Sequence, residues 1–509
     1  MNKIKKKIVT IIQKIKNNTE KSLASALFFL TFIVYFNTMA PTVSFWDTGE
    51  FIATSHILGI PHPPGSPLFL LIGKFFSLLP ISSDIAFRVN ISSPIFSAFT
   101  ISLLFLICNQ FIERLNSYNV SDSFLKLSSS FVASLTFAFT HSHWFNAVES
   151  EVYAFSGFIT ALVVYLILIW SKHRNKDYHV IYLMIIIYLF GLGTGTHLLN
   201  LLTIPFIALI IYFSTNQFSL KNFLLTTFSA LLVFLIIQNG IIKGLPQLVL
   251  DTGFYSLFII VFGISYLAYR SIKNNNTLSS IFSISILLIM IGYSTYFTIF
   301  IRSGQNPAID ENNPETIEEA ISYLNRDQYG SMSFLPRKFD DIPSKISAVG
   351  KPIYKNFEFS NKQNYDYVTY EPSKQINFLF SYQIKKMYVR YFLWQFAGKG
   401  SIDNSFVSPF GANKNQDGVD WSQFGLPLAL IIGLFGMYFH FRNNKYDSFS
   451  LLVLFIMTGI AIVLYLNQDN PQPRERDYSY VGSFMAFSVW VAIGIFGFIN
   501  KVNRSEERR

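Results

Sequence analysis

The chain is poor in charge and almost without cysteine. Only 14% of its 509 residues are Asp, Glu, Lys or Arg, against about 25% in a typical soluble protein. Cys108 is the single cysteine, so an intrachain disulfide is excluded and the redox compartment stays open. No recognisable nucleic-acid reading motif is present, so the net charge of +10 does not point to nucleic acid as a partner. No grouping of His, Cys, Asp and Glu has a diagnostic metal-ligand spacing, and no metal or other cofactor is expected. Gly191, Gly193 and Gly195 lack the βαβ surroundings of a nucleotide-binding fingerprint. No internal repeat is visible, which weighs against a transporter built from repeats.

Apolar residues are plentiful. Hydrophobic residues make up 51% of the chain and aromatics 17%, and this composition implies an all-α polytopic membrane protein. The basic residues fall in short loops between apolar runs, as the positive-inside rule expects. Met1 to Lys21 alternates lysines with isoleucines and suits an amphipathic interfacial helix. The first span follows at Ser22 to Ala40 and is retained rather than cleaved, for no small-x-small site follows it. Leu68 to Leu79 is too short to cross and is expected to lie half-buried at the interface within a long external loop, 41–90. Further spans are expected at Val89–Phe111, Phe131–Thr140, Ala154–Trp170, twice within Val180–Phe213, then Phe223–Ile237, Tyr255–Tyr269 and Ile281–Ile301, with an outside loop that turns the chain at Gly240–Gln247. An external polar segment, 302–421, comes next. It holds a short helix at Glu315 to Leu324 and an interfacial stretch at Tyr382 to Phe396. The region 422–509 adds spans at Phe424–Phe441, Leu451–Leu466 and Val481–Ile499. The sum is about twelve spans with both termini cytoplasmic, and shifting the parity by one would place basic loops outside. Residues 1–301 form the N-terminal transmembrane domain under this reading.

The polar groups able to do chemistry collect on one side. Phe45 to Leu70 carries Asp47 and Glu50 three residues apart, on one face of a helix. It also carries His56, and His62 in a proline-rich turn, and Arg88 stands just before the second span. The second external loop adds His141, His143, Glu149 and Glu151. His197 marks the glycine-rich break, and the last loop holds Asp469, Arg474, Glu475, Arg476 and Asp477. Carboxylates beside a bilayer are costly unless they are hydrated or used. A carboxylate can take a proton from an acceptor hydroxyl, and arginine suits a phosphate leaving group. The bland readings are a helix cap for Asp47, snorkelling for Arg88, and pairing of Arg474 and Arg476 with Glu475 and Asp477. A transporter or flippase of a lipid-linked or anionic solute is the alternative class. It would spread polar groups to both faces and the midplane.

The segments FWDTGEF, GIPHPPGSPLF, AVESEVYAFS, GLGTGTHLLNL and PRERDYSYVGSF resemble those of bacterial membrane proteins related to protein O-mannosyltransferases of the GT-C superfamily. The resemblance implies a GT-C-like glycosyltransferase in the inner membrane with a periplasmic site. Its donor would be a polyprenyl-phosphate sugar, transferred with inversion to an acceptor protein or glycan. Asp47 would be the base, with Glu50 beside it, and Arg88 could contact the donor phosphate. His62, Glu151, His197, Arg474 and Arg476 are the further candidates for substrate binding.

Overall fold

The computed structural model describes residues 2–329, 335, 337, 372–399, 425–469, 472 and 474–506. The side chains of residues 2–17, of Val120 and of 504–506 lie outside that description, as does most of the expected polar segment between 330 and 424. Helices make up the fold, and nine of the described ones are long and apolar enough to cross a membrane. The outer helices from Leu220 to Lys273 expose Phe228, Leu231, Phe258, Ile259 and Phe262 by more than half. Exposure of that kind suits hydrocarbon surroundings rather than water. The chain is a multi-pass membrane protein.

Helix α1 (Asn2–Thr38) is one continuous helix, so the interfacial helix and first span expected separately are joined. The first loop then folds into α2 (Thr48–Ile57), α3 (Pro67–Ser77) and α4 (Ile85–Asn90). Helix α5 (Ser92–Glu113) crosses the core against α1 and α8 (Val152–His173). Between them, α6 (Ser123–Ala138) takes the place of the third expected span, and α7 (His141–Ala147) crosses the loop end of the bundle.

Other boundaries shift for clear reasons. The expected turn at Gly240–Gln247 falls inside a helical run, Leu220–Thr252, which passes through a π-helical stretch at Ile236–Lys243. The chain turns instead at Gly253, whose φ of +84° needs a glycine. Tyr382–Phe396 is not an interfacial surface segment. It continues the helix beginning at Pro372, and Tyr382, Met387, Tyr388, Tyr391, Trp394 and Phe396 are buried in the main core. The last helix, Val481–Glu506, packs on Leu428–Asn443 at Gly436 and Gly494. A Cβ on either glycine would strike backbone of the opposite helix. Such small residues let membrane helices approach closely.

The two ends of the bundle differ. At one end Glu113 accepts hydrogen bonds from Lys126 (2.6 Å) and Lys172 (3.0 Å), among the basic loops. At the other, the first, second and last loops meet.

Candidate active site

The first loop is shaped by its own sequence and by a clamp from 302–325. Helix α2 ends at Leu58, and Arg302 donates to the free carbonyls of Leu58 (2.8 Å) and Ile57 (3.1 Å). These are the carbonyls a helix terminus leaves unpaired. Ile60 exchanges backbone bonds with Ile309 and Glu311. The short helix expected at Glu315–Leu324 is present as Ile317–Asn325, started by a Thr316–Glu319 capping box. Its Tyr323 hydroxyl donates to the carbonyl of Pro61 at 2.5 Å and closes the proline turn from below.

Asp47 occupies the N-cap position of α2, but its side chain makes no capping bond. Trp46, immediately before it, holds a φ of +63°. A non-glycine residue rarely adopts that conformation, and such strain clusters at working sites. The Asp47 carboxylate therefore turns away from its own helix. Its Oδ2 accepts from Arg474 Nη2 at 2.7 Å. The other arm of the guanidinium, Nη1, donates to Glu151 Oε1 at 3.1 Å. Arg474 lies 5.4 Å from the Trp46 ring centre and 4.9 Å from that of Tyr478. Tyr478 in turn packs on Tyr153 at 4.3 Å, and Tyr153 on His197 at 5.5 Å. Tyr153 and Tyr478 also line a small cavity of about 30 Å³, with Thr160, Thr458 and Met485.

The carboxylates differ in exposure and in charge. The Asp47 side chain is 39% exposed, that of Glu151 only 4%. Burial raises the Glu151 carboxyl above its ordinary range despite Arg474. Glu149 accepts from the Ser44 hydroxyl at 3.1 Å. Burial, and then the charge of Glu151, pushes Glu149 up to about 8. At neutral pH Glu149 is therefore held mainly in its protonated form, beside the buried Glu151 carboxyl and the Arg474 guanidinium.

Glu50 does not share this place. It accepts from the His62 backbone N–H at 2.5 Å and meets the His62 ring Nδ1 at 2.7 Å. Burial would lower the imidazole, but Glu50 outweighs it, and His62 titrates above its ordinary value. Although Asp47 and Glu50 are three residues apart, their side chains take different partners, Arg474 for Asp47 and His62 for Glu50. Arg88, on α4, acts electrostatically on His56 of α2 and donates to the Leu79 carbonyl at 3.4 Å; among the described residues it makes no hydrogen bond or ion pair with the Asp47–Arg474–Glu151 group. His197 accepts from the Leu199 backbone N–H at 3.2 Å, capping the 3-10 turn after the glycine-rich break.

Arg474 and Arg476 do not pair with Glu475 and Asp477. The last loop sends successive side chains to different segments. Glu475 takes two bonds from Arg390 (3.1 and 2.5 Å) and one from the Tyr391 hydroxyl (2.5 Å). Arg476 donates to the Tyr478 hydroxyl at 2.6 Å and to Gln472 at 3.1 Å. Asp477 accepts from the Ser142 hydroxyl at 2.5 Å, and Gln395 bonds Ser142 at both its amide and its hydroxyl. Trp46, Tyr153 and Tyr478 are not singled out from the sequence, although each lies in or beside a motif segment, and Glu149 is collected among the polar loop groups without a substrate-binding role. Among the described residues no group of three or more His, Cys, Asp or Glu could hold a metal ion.

Comparison with known proteins agrees with the sequence resemblance. Residues 47–220 match the family model described as the Protein O-mannosyl-transferase TMEM260 N-terminal domain. The chain is 29% identical over 191 residues to protein O-mannosyl-transferase tmem260 of Dictyostelium discoideum, covering 35% of this chain and 22% of that one. It is 31% identical over 144 residues to protein O-mannosyl-transferase TMEM260 of Mus musculus, covering 27% and 19%. The chain thus aligns with about a fifth of the length of these curated relatives. Asp47, Glu149 and Glu151 lie inside the family match, whereas Arg474 lies beyond it.

Proposed function

From the match of residues 47–220, which hold the acidic half of the cluster, to the protein O-mannosyl-transferase family model, we propose that this chain is a membrane glycosyltransferase. It moves a hexose, mannose in the first instance, from a polyprenyl-phosphate donor to an acceptor hydroxyl, with protein Ser or Thr as the favoured acceptor. The observation that carries this reading is the bond between half-exposed Asp47 and Arg474.

Arg474 holds Oδ2 of Asp47, which leaves Oδ1 to face the acceptor. Asp47 takes the hydroxyl proton as the acceptor oxygen bonds to the anomeric carbon. The bond from that carbon to the phosphate oxygen breaks on the opposite face, and the polyprenyl phosphate leaves with the electron pair. Inversion follows from that geometry. A positioned general base contributes roughly 10²–10⁴-fold. The departing phosphate gains charge, and a forked guanidinium is suited to meet it. Arg474, bonded to the proposed base, is placed for that role, whereas Arg88 shares no bond with the group among the described residues. Arg476 and the Tyr478 hydroxyl supply further donors next to Arg474. Glu50 and His62 fix the proline turn that forms one wall. In this reading the site faces the periplasm and both termini the cytoplasm, and no metal is required. Confinement of the carboxylate–arginine cluster to one end of the bundle favours a transferase over a transporter, which needs access from both sides.

The test uses membranes carrying the wild type or Asp47→Asn. Radiolabelled polyprenyl-phosphate mannose is supplied and label is followed into protein, lipid and glycan. Label in protein with the wild type alone supports the reading. Equal labelling by the two forms overturns the role of Asp47, and no labelling from any lipid-linked sugar overturns the activity.

A further inference from the structure

Helix α3 carries two apolar faces. Phe69, Leu70 and Phe76 are buried in the protein, and Gly73 lets the helix sit directly against Ser55 of α2. The opposite face is left largely uncovered by the described residues. Leu71, Phe75 and Leu78, spaced as one helical stripe, are exposed by 38%, 60% and 64%, and Ile81 continues the stripe at 51%. In a membrane protein such a stripe meets acyl chains.

Beside the stripe stand Lys74, Arg88 and His56. Lys74 Nζ donates to the His56 carbonyl at 2.5 Å, which draws the ammonium against the end of α2. The one bond of the Arg88 guanidinium is long, 3.4 Å to the Leu79 carbonyl. Arg88 Nε and His56 Nδ1 are buried with no hydrogen-bond partner. Among the described residues neither Lys74 nor Arg88 belongs to an ion pair. The nearby carboxylate of Asp84 is engaged in capping α4 through the Phe87 N–H at 3.0 Å. Two cations and an imidazole therefore sit at the edge of a lipid-facing stripe; Asp84, whose charge reaches Arg88, is held by its capping bond and forms no ion pair with it among the described residues. Buried donors in that condition are costly unless something satisfies them.

We propose that this face binds an anionic phospholipid, its phosphate held by Lys74, Arg88 and His56 and its chains lying along Leu71, Phe75 and Leu78. The charge of the trio selects an anionic headgroup over a zwitterionic one, and the stripe selects a lipid over a free anion. His56 lies at the other end of α2 from Asp47, so a bound headgroup pins the helix whose N-cap residue is the proposed base. The inference does not depend on the transferase reading, since it concerns binding at a separate place.

The test is lipid binding to the purified, delipidated chain, measured by native mass spectrometry with phosphatidylglycerol, phosphatidylcholine, polyprenyl phosphate and inorganic phosphate. Phosphatidylglycerol binds the wild type in preference to phosphatidylcholine, and inorganic phosphate does not displace it. The double variant Lys74→Gln/Arg88→Gln binds it about 25-fold more weakly, about fivefold per cation. Single Lys74→Gln, a milder change for folding, shows the fivefold step. Phe75→Ser weakens binding with the cations intact. Unchanged affinity for phosphatidylglycerol in Lys74→Gln overturns the proposal. So does loss of polyprenyl phosphate with phosphatidylglycerol retained, which would give these cations to the transferase donor.

Discussion

Asp47 and Arg474, 427 residues apart in the chain, meet at 2.7 Å and join the first loop to the last. The pair leaves one carboxylate oxygen free on a half-exposed side chain, the arrangement a general base needs. Asp47→Asn keeps the shape and removes the base. The expected loss in turnover is roughly 10²–10⁴-fold, with the protein still folded in the membrane. Single-turnover transfer rates check it.

Arg474 bridges two carboxylates with two different nitrogens, which a lysine ammonium cannot copy. Arg474→Lys should retain the fold and lose most transfer. Arg474→Gln strands Glu151 in a buried place, at a cost of about 3–5 kcal/mol while that carboxyl is ionised. Glu151 already titrates above its ordinary value, so acid neutralises it and the destabilisation shrinks as pH falls. Thermal unfolding in detergent at a series of pH values checks both variants.

Glu149 is raised to about 8 by burial and then by Glu151. A carboxyl held above its unfolded value binds its proton more tightly when folded. Its contribution is therefore whole in acid and is lost as pH rises through about 8. Glu149→Gln mimics the protonated form. It should match the wild type in thermal stability near pH 5 and exceed it near pH 9. Equal midpoints at both ends would remove the protonated acid from the account.

Glu475 is fixed by Arg390, whose guanidinium lies 4.7 and 4.8 Å from the ring centres of Tyr391 and Trp394. That anchor stands next to Arg474 in the chain. Arg390→Gln should lower kcat about tenfold and shift KM less, because it misplaces the cation without removing it. A change confined to KM would assign the anchor to substrate binding instead.

Gly65 has a φ of +86°, and a Cβ there would meet the Tyr323 hydroxyl at 2.6 Å. Gly65→Ala should lower stability by about 1–3 kcal/mol through backbone strain. Tyr323→Phe relieves the contact but leaves the Pro61 carbonyl without its donor. The two single variants and the double variant, compared by thermal unfolding, should be non-additive.

The helices were legible in the sequence because apolar runs are long and basic loops short. Gly240 misled: a glycine and a nearby Gln suggested a turn, but a π-helical stretch absorbs them and the chain turns at Gly253. Tyr382–Phe396 was misjudged because its Lys and Arg suggested a surface, whereas Arg390 is buried by pairing with Glu475. At the site, residue type and loop membership picked out Asp47, Glu151 and Arg474. Spacing could not pair them, since the decisive contacts span more than 300 residues. Local rules also misassigned Glu475 and Asp477, the natural neighbours of two arginines, whose partners are Arg390 and Ser142.

The dispersal of the last loop's side chains also sets an order of events during synthesis. Asp47, Glu149 and Glu151 are made early and enter the membrane as an acidic group without its cation. Arg474 emerges more than 300 residues later. Until then the early loops lack the contacts that orient the base. In the proposed reading, a ribosome halted before the last loop leaves a chain whose early loops lack Arg474, and transfer is expected only once the C-terminal helices arrive.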